Sequence, residues 1–313
     1  MVLVTGSNGF IASHLLKYLH ARDVKLVDRG LNRHSGYDFF QTEINEKTDY
    51  SMVLKDVKTI VHCAARVHIM NDSSADPLND YRKINTEGTI NLAKQAIENG
   101  AKRFIFISSI KVNGEMTLSG KPFMHSDDRK PIDFYGISKS EAEEQLLSLS
   151  KNTGLEVVII RPTLVYGPGV KANFASLMNV VSKGFPLPFR CIKRNKRSLV
   201  FVDNVVDLIV TCIDHPKAVN QVFLVSDDHD VSTSEMVCEM AKALGKPTWQ
   251  LPVPVWCYQL AGKLLKKSDV VDRLTGSLQV DIAHTKETLG WKPPQTLQEG
   301  FMRTAEAFRQ SHC

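Results

Sequence analysis

The chain has 313 residues, enough for one large α/β core and a smaller lobe. Its 43% apolar and 23% charged residues are an ordinary globular composition, and no apolar run reaches membrane-spanning length. A net charge of +5 suits an anionic small molecule and does not indicate nucleic acid. The six cysteines (63, 191, 212, 238, 257, 313) are scattered, with no C-x-x-C pair and no His/Cys cluster at ligand spacing, so reduced thiols and no metal site are expected. The first strand begins at once, which leaves no room for a signal peptide. A cytoplasmic enzyme with no membrane partner is the expectation.

Val2, Leu3 and Val4 form a short apolar run of the kind buried on both faces of a parallel sheet. Thr5-Gly6 turns the chain. From Gly9 the apolar residues Phe10, Ile11, Leu15, Leu16 and Leu19 fall at helical spacing. Strand, glycine turn and helix predict a phosphate cradle: backbone N–H groups point outward, and Gly6 and Gly9 let a pyrophosphate approach. The spacing is G-x-x-G-x-x-A, with Ala12 in the third position, where only a small residue is needed. Lys25–Asp28 reads as the next strand, and Asp28 lies 19 residues beyond Gly9, where a carboxylate accepts the ribose hydroxyls of NAD. Arg29 suits the 2′-phosphate of NADP instead. The carboxylate repels that phosphate, so NAD is expected, with NADP left open.

Further along come a weak strand over 37–42, the pair Glu43-Ile44, and a strand over Thr59–Ala65 that ends in small residues. A long helix is predicted from Asp76 to Asn99, a strand over Arg103–Ser109, a helix over Phe134–Asn152 and a strand over Glu156–Arg161. This alternation implies right-handed crossovers and a Rossmann-like, doubly wound parallel sheet. The second half changes character. Tyr166–Gly169 is a loop, Ala172–Lys183 a helix, and Arg190 opens a basic loop through Lys193, Arg194, Lys196 and Arg197. A strand over Ser198–Asp203 and a helix over Val205–Ile213 follow, the latter returning to the first lobe. Helices near 232–244, 254–266 and 297–310 complete a smaller C-terminal lobe. The expected division is a cofactor domain over 1–168, with a return segment near 200–216, and a mainly substrate-binding lobe over 169–313.

Ser109, Tyr135 and Lys139 form the sharpest constellation. Tyr135 and Lys139 are four apart on a predicted helix and share a face; Ser109 ends a strand at the sheet's carboxyl edge. A phenol is a poor base at neutral pH. A nearby ammonium, aided by a nicotinium charge, is expected to lower its pKa so that Tyr135 can exchange a proton at a carbinol oxygen while hydride moves. Ser109 would position the same oxygen. His14, His62 and His68 lack a second ligand or carboxylate at fixed spacing and read as packing or surface residues.

Thr5-Gly6-x-x-Gly9-Phe10-Ile11, Ala64-Ala65, Asn85-x-x-Gly88-Thr89, Ser108-Ser109, Tyr135-x-x-x-Lys139 and Arg161-Pro162 with Tyr166–Gly169 resemble the extended short-chain dehydrogenase/reductase family over nearly the whole chain. Within it the chain is most similar to the nucleotide-sugar branch around UDP-galactose 4-epimerase. The resemblance implies a cofactor site of Gly6, Asn8, Gly9, Phe10, Ile11, Asp28, Arg29, Glu43, Ile44, Ala64, Ala65, Asn85, Ser108, Tyr135, Lys139 and Pro162. Glu43-Ile44 would lie near adenine, Ala64-Ala65 near the pyrophosphate and Pro162 near the nicotinamide. It implies Lys111, Asn173, Arg197 and Arg273 on the substrate side, with Asn173 and the two arginines on the UDP diphosphate and uridine, and it implies a homodimer. An arginine fork suits a diphosphate.

The chain departs from the epimerases at Val67, Lys111, Asn113 and Leu164, and the loop after Ser109 lacks the acidic pair of the sugar-nucleotide dehydratases. The region from Arg273 to Pro293 looks like enzymes of bacterial surface-polysaccharide biosynthesis that act on UDP-N-acetylhexosamines. The expected function is an NAD-dependent UDP-sugar 4-epimerase. The alternatives are a reductase of a UDP-4-keto-6-deoxy sugar, a dehydrogenase of apolar alcohols, and a non-catalytic NAD(H)-sensing module.

Overall fold

Seven short apolar segments lie side by side, each hydrogen-bonded in parallel to the next, because their flanking helices bury both faces of every central strand. The computed structural model describes residues 1–67, 76–118 and 120–311, without the side chains of Ala172, Asn173 and Asp269. His68, Cys313 and the Asn173 side chain therefore lie outside the described residues.

The strands are β1 (Val2–Thr5), β2 (Val24–Asp28), β3 (Asp38–Gln41), β4 (Thr59–His62), β5 (Arg103–Ile107), β6 (Glu156–Pro162), β7 (Leu164–Tyr166), β8 (Arg197–Phe201), β9 (Gln221–Val225) and β10 (Asp230–Val231). The main sheet runs β3-β2-β1-β4-β5-β6-β9. Its order reverses between β1 and β4, and a crevice at such a switch point is where doubly wound sheets bind ligands. The predicted Rossmann-like class is the observed one. The strand β9 was not foreseen; it extends the sheet beyond β6, so the C-terminal half returns to the first lobe with a strand as well as a helix.

The helices are α1 (Phe10–Leu15), α2 (Ser51–Leu54), α3 (Pro77–Arg82), α4 (Thr89–Glu98), α5 (Phe134–Thr153), α6 (Ala172–Ser182), α7 (Val202–Asp214), α8 (Thr233–Ala243), α9 (Val255–Leu264), α10 (Ser268–Thr275), α11 (Ala283–Leu289) and α12 (Leu297–Gln310). Helices α1 and α7 cover one face of the sheet around Leu15, Val205 and Ile209; α2, α4 and α5 cover the other around Leu54, Leu92 and Leu146. A third core, around Tyr166, Phe174, Phe201, Met240 and Phe301, holds β7 and β8 to α6, α8 and α12.

Three predicted elements end differently. The helix expected over 76–99 is split: a π-helical turn, Lys83–Gly88, separates α3 from α4. Inside that turn the Asn85 side chain accepts from the Arg66 N–H (2.8 Å) and donates to the Arg66 carbonyl (3.0 Å), holding the loop after β4. The strand expected through Asp203 stops at Phe201. Asp203 sits in the first turn of α7, where its carboxylate meets the positive helix end, His14 (3.1 Å) and Arg303 (2.8 Å). The helix after the glycine turn is short, six residues followed by a 3-10 turn over Leu16–Tyr18.

Candidate active site

The glycine turn is built by backbone constraints. Gly6 has φ of +65°, donates to the Val27 carbonyl (2.8 Å), and packs so tightly that a Cβ there would lie 2.7 Å from the Ala64 Cα. A Cβ on Gly9 would lie 2.8 Å from the Gly6 carbonyl oxygen, whose hydrogen bond to the Gly9 N–H closes the turn. Asp28, at the end of β2, accepts from the Asn8 N–H (3.0 Å) and the Gly30 N–H (2.8 Å), one on each oxygen. Each carboxylate oxygen retains acceptor capacity. Among the described residues, Ser7 Oγ and Asn8 Oδ1 are buried without a hydrogen-bond partner. Orphaned polar atoms of this kind beside a bare backbone turn and a carboxylate fit a polar ligand such as a dinucleotide.

The other cofactor candidates surround this turn. Ala64 donates its N–H to Thr5 Oγ1 (3.3 Å), and with Ala65 lies at the end of β4. Phe10 and Ile11 open α1. Ile44 is buried against Gly88, while Glu43 and Arg29 are exposed. Ser108 follows β5 and Pro162 ends β6. These candidates collect at or beside the carboxyl edge of the sheet. Asn85 is fully buried, and its side chain is committed to Arg66 and to Ser138 Oγ (3.0 Å). Thr86 Oγ1 donates to the Ser138 carbonyl (2.8 Å) and Ser138 Oγ to the Tyr135 carbonyl (2.8 Å), so Asn85 braces the helix that carries Tyr135.

Helix α5 starts where Asp133 accepts from the Gly136 N–H (2.7 Å), a side-chain cap that fixes the register of Tyr135 and Lys139. The Tyr135 ring stands edge-on to Tyr81 at 6.4 Å, and its hydroxyl has no hydrogen-bond partner among the described residues. Ser109 Oγ accepts from the Lys111 N–H (3.3 Å), which leaves its own proton to give. Neither hydroxyl commits its proton to a partner among the described residues.

The electrostatics differ from the expected ones. Burial, then the Asp133 carboxylate and Tyr81, push the Tyr135 phenol above its ordinary value, and Lys139 does not counter them. The Lys139 ammonium instead donates to the Ile107 carbonyl (2.8 Å) and lies over the Phe106 ring at 4.3 Å. Burial pulls it down to about 7, against the opposing charge of Cys63 and Glu143. The acidification of Tyr135 by its neighbouring amine is not present in the protein alone, because a carbonyl of the adjacent strand captures the amine.

The substrate candidates fall in two groups. Arg197, at the start of β8, donates to the Arg273 carbonyl (2.8 Å), and the two guanidinium groups lie close enough to add to the burial that lowers the Arg197 pKa. The structure therefore brings together two arginines 76 residues apart, with no carboxylate salt-bridged to either among the described residues. Lys111 is engaged otherwise: it pairs with Asp133 and with Glu115 (3.4 Å). His14 finds a carboxylate after all, Asp203, and His62 is buried between Thr5 (2.7 Å) and Thr89 (2.9 Å).

Three supporting residues, Glu143, Asp133 and Tyr81, escaped the sequence reading, and a fourth, Arg161, entered it only as a strand end and within the Arg161-Pro162 motif. Glu143 and Arg161 form a buried pair, with Ser108 Oγ donating to Glu143 Oε1 (2.5 Å) and Arg161 donating to Asn113 Oδ1 (2.9 Å). Asp133 and Tyr81 flank Tyr135. Glu143 alone had a visible signal, since it lies one helical turn beyond Lys139 on the same face.

The family described as NAD dependent epimerase/dehydratase matches residues 2–226. A UDP-glucose 4-epimerase of Vibrio cholerae is 64% identical over 315 residues, spanning 99% of this chain and 96% of that protein. Among solved structures, a UDP-N-acetylglucosamine 4-epimerase from Methanobrevibacter ruminantium M1, in complex with UDP-N-acetylmuramic acid, superposes with a TM-score of 0.80 at 20% identity, covering 99% of this chain and 98% of the other. A UDP-glucose 4-epimerase from Thermotoga maritima with UDP-glucose does so with a TM-score of 0.78 at 24% identity, covering 100% and 99%. By sequence over most of its length, the chain belongs to the NAD dependent epimerase/dehydratase family.

Proposed function

We propose that this chain is an NAD-dependent UDP-sugar 4-epimerase. The observation that carries the reading is the placement of two donor hydroxyls, Ser109 and Tyr135, at the sheet's carboxyl edge, with the glycine turn and Asp28 on one side and the Arg197–Arg273 pair in the C-terminal lobe. The 64% identity to a protein named UDP-glucose 4-epimerase supports the same chemistry.

The glycine turn, Ser7, Asn8 and Asp28 hold NAD, with Ala64, Ala65 and Pro162 beside it. When bound, NAD supplies a hydride acceptor and a positive ring near Tyr135. The chain's own residues do the rest. Tyr135 takes the proton of the sugar's 4-hydroxyl as C4 is oxidised and returns it when C4 is reduced on the opposite face. Ser109 donates to the same oxygen and fixes its distance from Tyr135. Lys139 holds the ribose side of the cofactor in place of the Ile107 carbonyl. Arg197 and Arg273 grip the diphosphate, where a guanidinium fork matches two oxygens at once. Asn173, on α6, belongs to the same substrate side.

The division into a cofactor domain over 1–168 and a substrate lobe over 169–313, homodimeric assembly, and a cytoplasmic place in polysaccharide biosynthesis belong to this reading. Tyr135→Phe is expected to abolish interconversion of UDP-sugar 4-epimers while NAD binding persists. Retained interconversion would remove Tyr135 from its role.

A further inference from the structure

Helix α9 exposes most of its apolar side chains. Trp256, Leu260 and Leu264 recur every four residues, so they line one face, and they are 63%, 53% and 75% exposed. Leu265, 69% exposed, extends the stripe past the helix end. A surface helix ordinarily turns such a stripe inward. Here the side turned inward is narrow and centres on Gly262, where a Cβ would meet Val271 of α10 at 2.7 Å. The apolar surface continues before the helix. Trp249 and Phe185, 58% and 71% exposed, line one cleft, and the two segments carrying them are joined where the Leu251 N–H donates to the Leu187 carbonyl (2.9 Å).

The two segments that build this surface carry only positive charge, with exposed Asp272 on α10 and the Glu235 that pairs with Lys196 (3.8 Å) beside them. Segments 183–197 and 245–267 hold ten of the chain's 39 Lys and Arg and none of its 34 Asp and Glu, so the remainder of the chain is net negative. Lys263, Lys266 and Lys267 are exposed at the end of α9, beside Leu264.

We propose that this face docks on an anionic lipid bilayer. The stripe lies at the headgroup boundary, and the lysines, their stems along the apolar surface, reach the phosphates. Tryptophan beside leucine, rimmed by lysine, is the composition that such an interface selects. Charge complementarity picks the occupant. Two copies of this face would bring Lys263, Lys266 and Lys267 of one against those of the other, whereas an anionic bilayer meets all three. The attachment is peripheral, since no helix among the described residues is long and apolar enough to cross a membrane. Because α9 packs on α10, which carries Arg273, the docked face borders the arginine pair.

The test is flotation of the full-length protein with vesicles of phosphatidylethanolamine, with and without phosphatidylglycerol. Binding is expected only with phosphatidylglycerol, accompanied by a blue shift of tryptophan emission and weakened by salt. The triple change Lys263→Glu/Lys266→Glu/Lys267→Glu is expected to weaken binding by about a hundredfold or more, at roughly fivefold per lysine. Leu260→Asp/Leu264→Asp is expected to abolish binding with an unchanged melting temperature and unchanged turnover of a water-soluble UDP-sugar. The proposal is overturned if the wild-type protein ignores phosphatidylglycerol at low ionic strength, a result that depends on no variant folding. It is equally overturned if Leu260→Asp/Leu264→Asp floats like wild type, or if that variant converts a dimer to monomers in sedimentation, which would give the face to a second copy.

Discussion

Arg161 and Glu143 meet at 2.6 Å in the interior, with side-chain exposures of 4% and 0%. The pair joins three elements: Arg161 is on β6 just before Pro162, Glu143 is on α5 one turn past Lys139, and Ser108 precedes Ser109 and donates to the same carboxylate. Glu143→Gln leaves a buried guanidinium uncompensated and is expected to cost about 3–5 kcal/mol in urea denaturation. Glu143→Met/Arg161→Met, which removes both charges, is expected to cost less than the single change. A single change within about 1 kcal/mol of wild type would deny the pair its bracing role.

Asp133 is the leading charge that holds the Tyr135 phenol up, after burial. Asparagine keeps the cap on α5 and removes the charge. In the proposed mechanism Tyr135 acts when deprotonated, so activity is expected to rise with pH through its pKa. Asp133→Asn is therefore expected to move the acidic limb of the kcat/KM profile to lower pH. A limb that stays or moves to higher pH would contradict the assignment of Tyr135 as the titrating base.

His62 links folding to pH. Burial, then the Lys139 charge, lower its pKa from 6.5 to about 3, so the folded state keeps it neutral while the unfolded chain takes a proton below pH 6.5. A lowered histidine pKa stabilises the fold above the unfolded value, and that stability is lost as pH falls from 6.5 toward about 3, at about 1.4 kcal/mol per pH unit. Denaturant titrations across this window are expected to show a shallower slope for His62→Gln. An identical slope would mean that another group carries the dependence.

Arg197→Ala is expected to raise the UDP-sugar KM by roughly tenfold to a hundredfold, the loss of charged hydrogen bonds, and to leave NAD binding unchanged. An unchanged KM would separate the arginine pair from the substrate.

Much of this was legible in the residues, for physical reasons that also explain the gaps. Continuous apolar runs marked β1, β2, β4, β5 and β6 because both faces of each are buried. Gln221–Val225 is just as short a run, but it sits between a helix and a polar stretch, and only its pairing with β6 makes it part of the main sheet. Helical periodicity over 76–99 gave the right helix material and missed the π turn, since the hydrogen bonds of Asn85 go to Arg66 in the loop after β4, outside the helix. Helical spacing together with the upstream glycine turn and a serine at a strand end marked the Ser109, Tyr135 and Lys139 candidates. They did not mark where the Lys139 ammonium points, because the carbonyl it meets belongs to another strand. The meeting of Arg197 with Arg273 likewise depends on contacts far apart in the chain.

The central claim is that Tyr135 exchanges a proton at the 4-hydroxyl of a UDP-sugar whose C4 is oxidised and re-reduced in place. Its most direct test is proton NMR of the purified protein incubated with UDP-glucose, and separately with UDP-N-acetylglucosamine, with no reduced cofactor added. The account predicts that at least one of them converts to an equilibrium mixture of its 4-epimers, and that Tyr135→Phe leaves it unchanged. No epimer from either substrate, with turnover of a 4-keto sugar only when reduced cofactor is supplied, would contradict it.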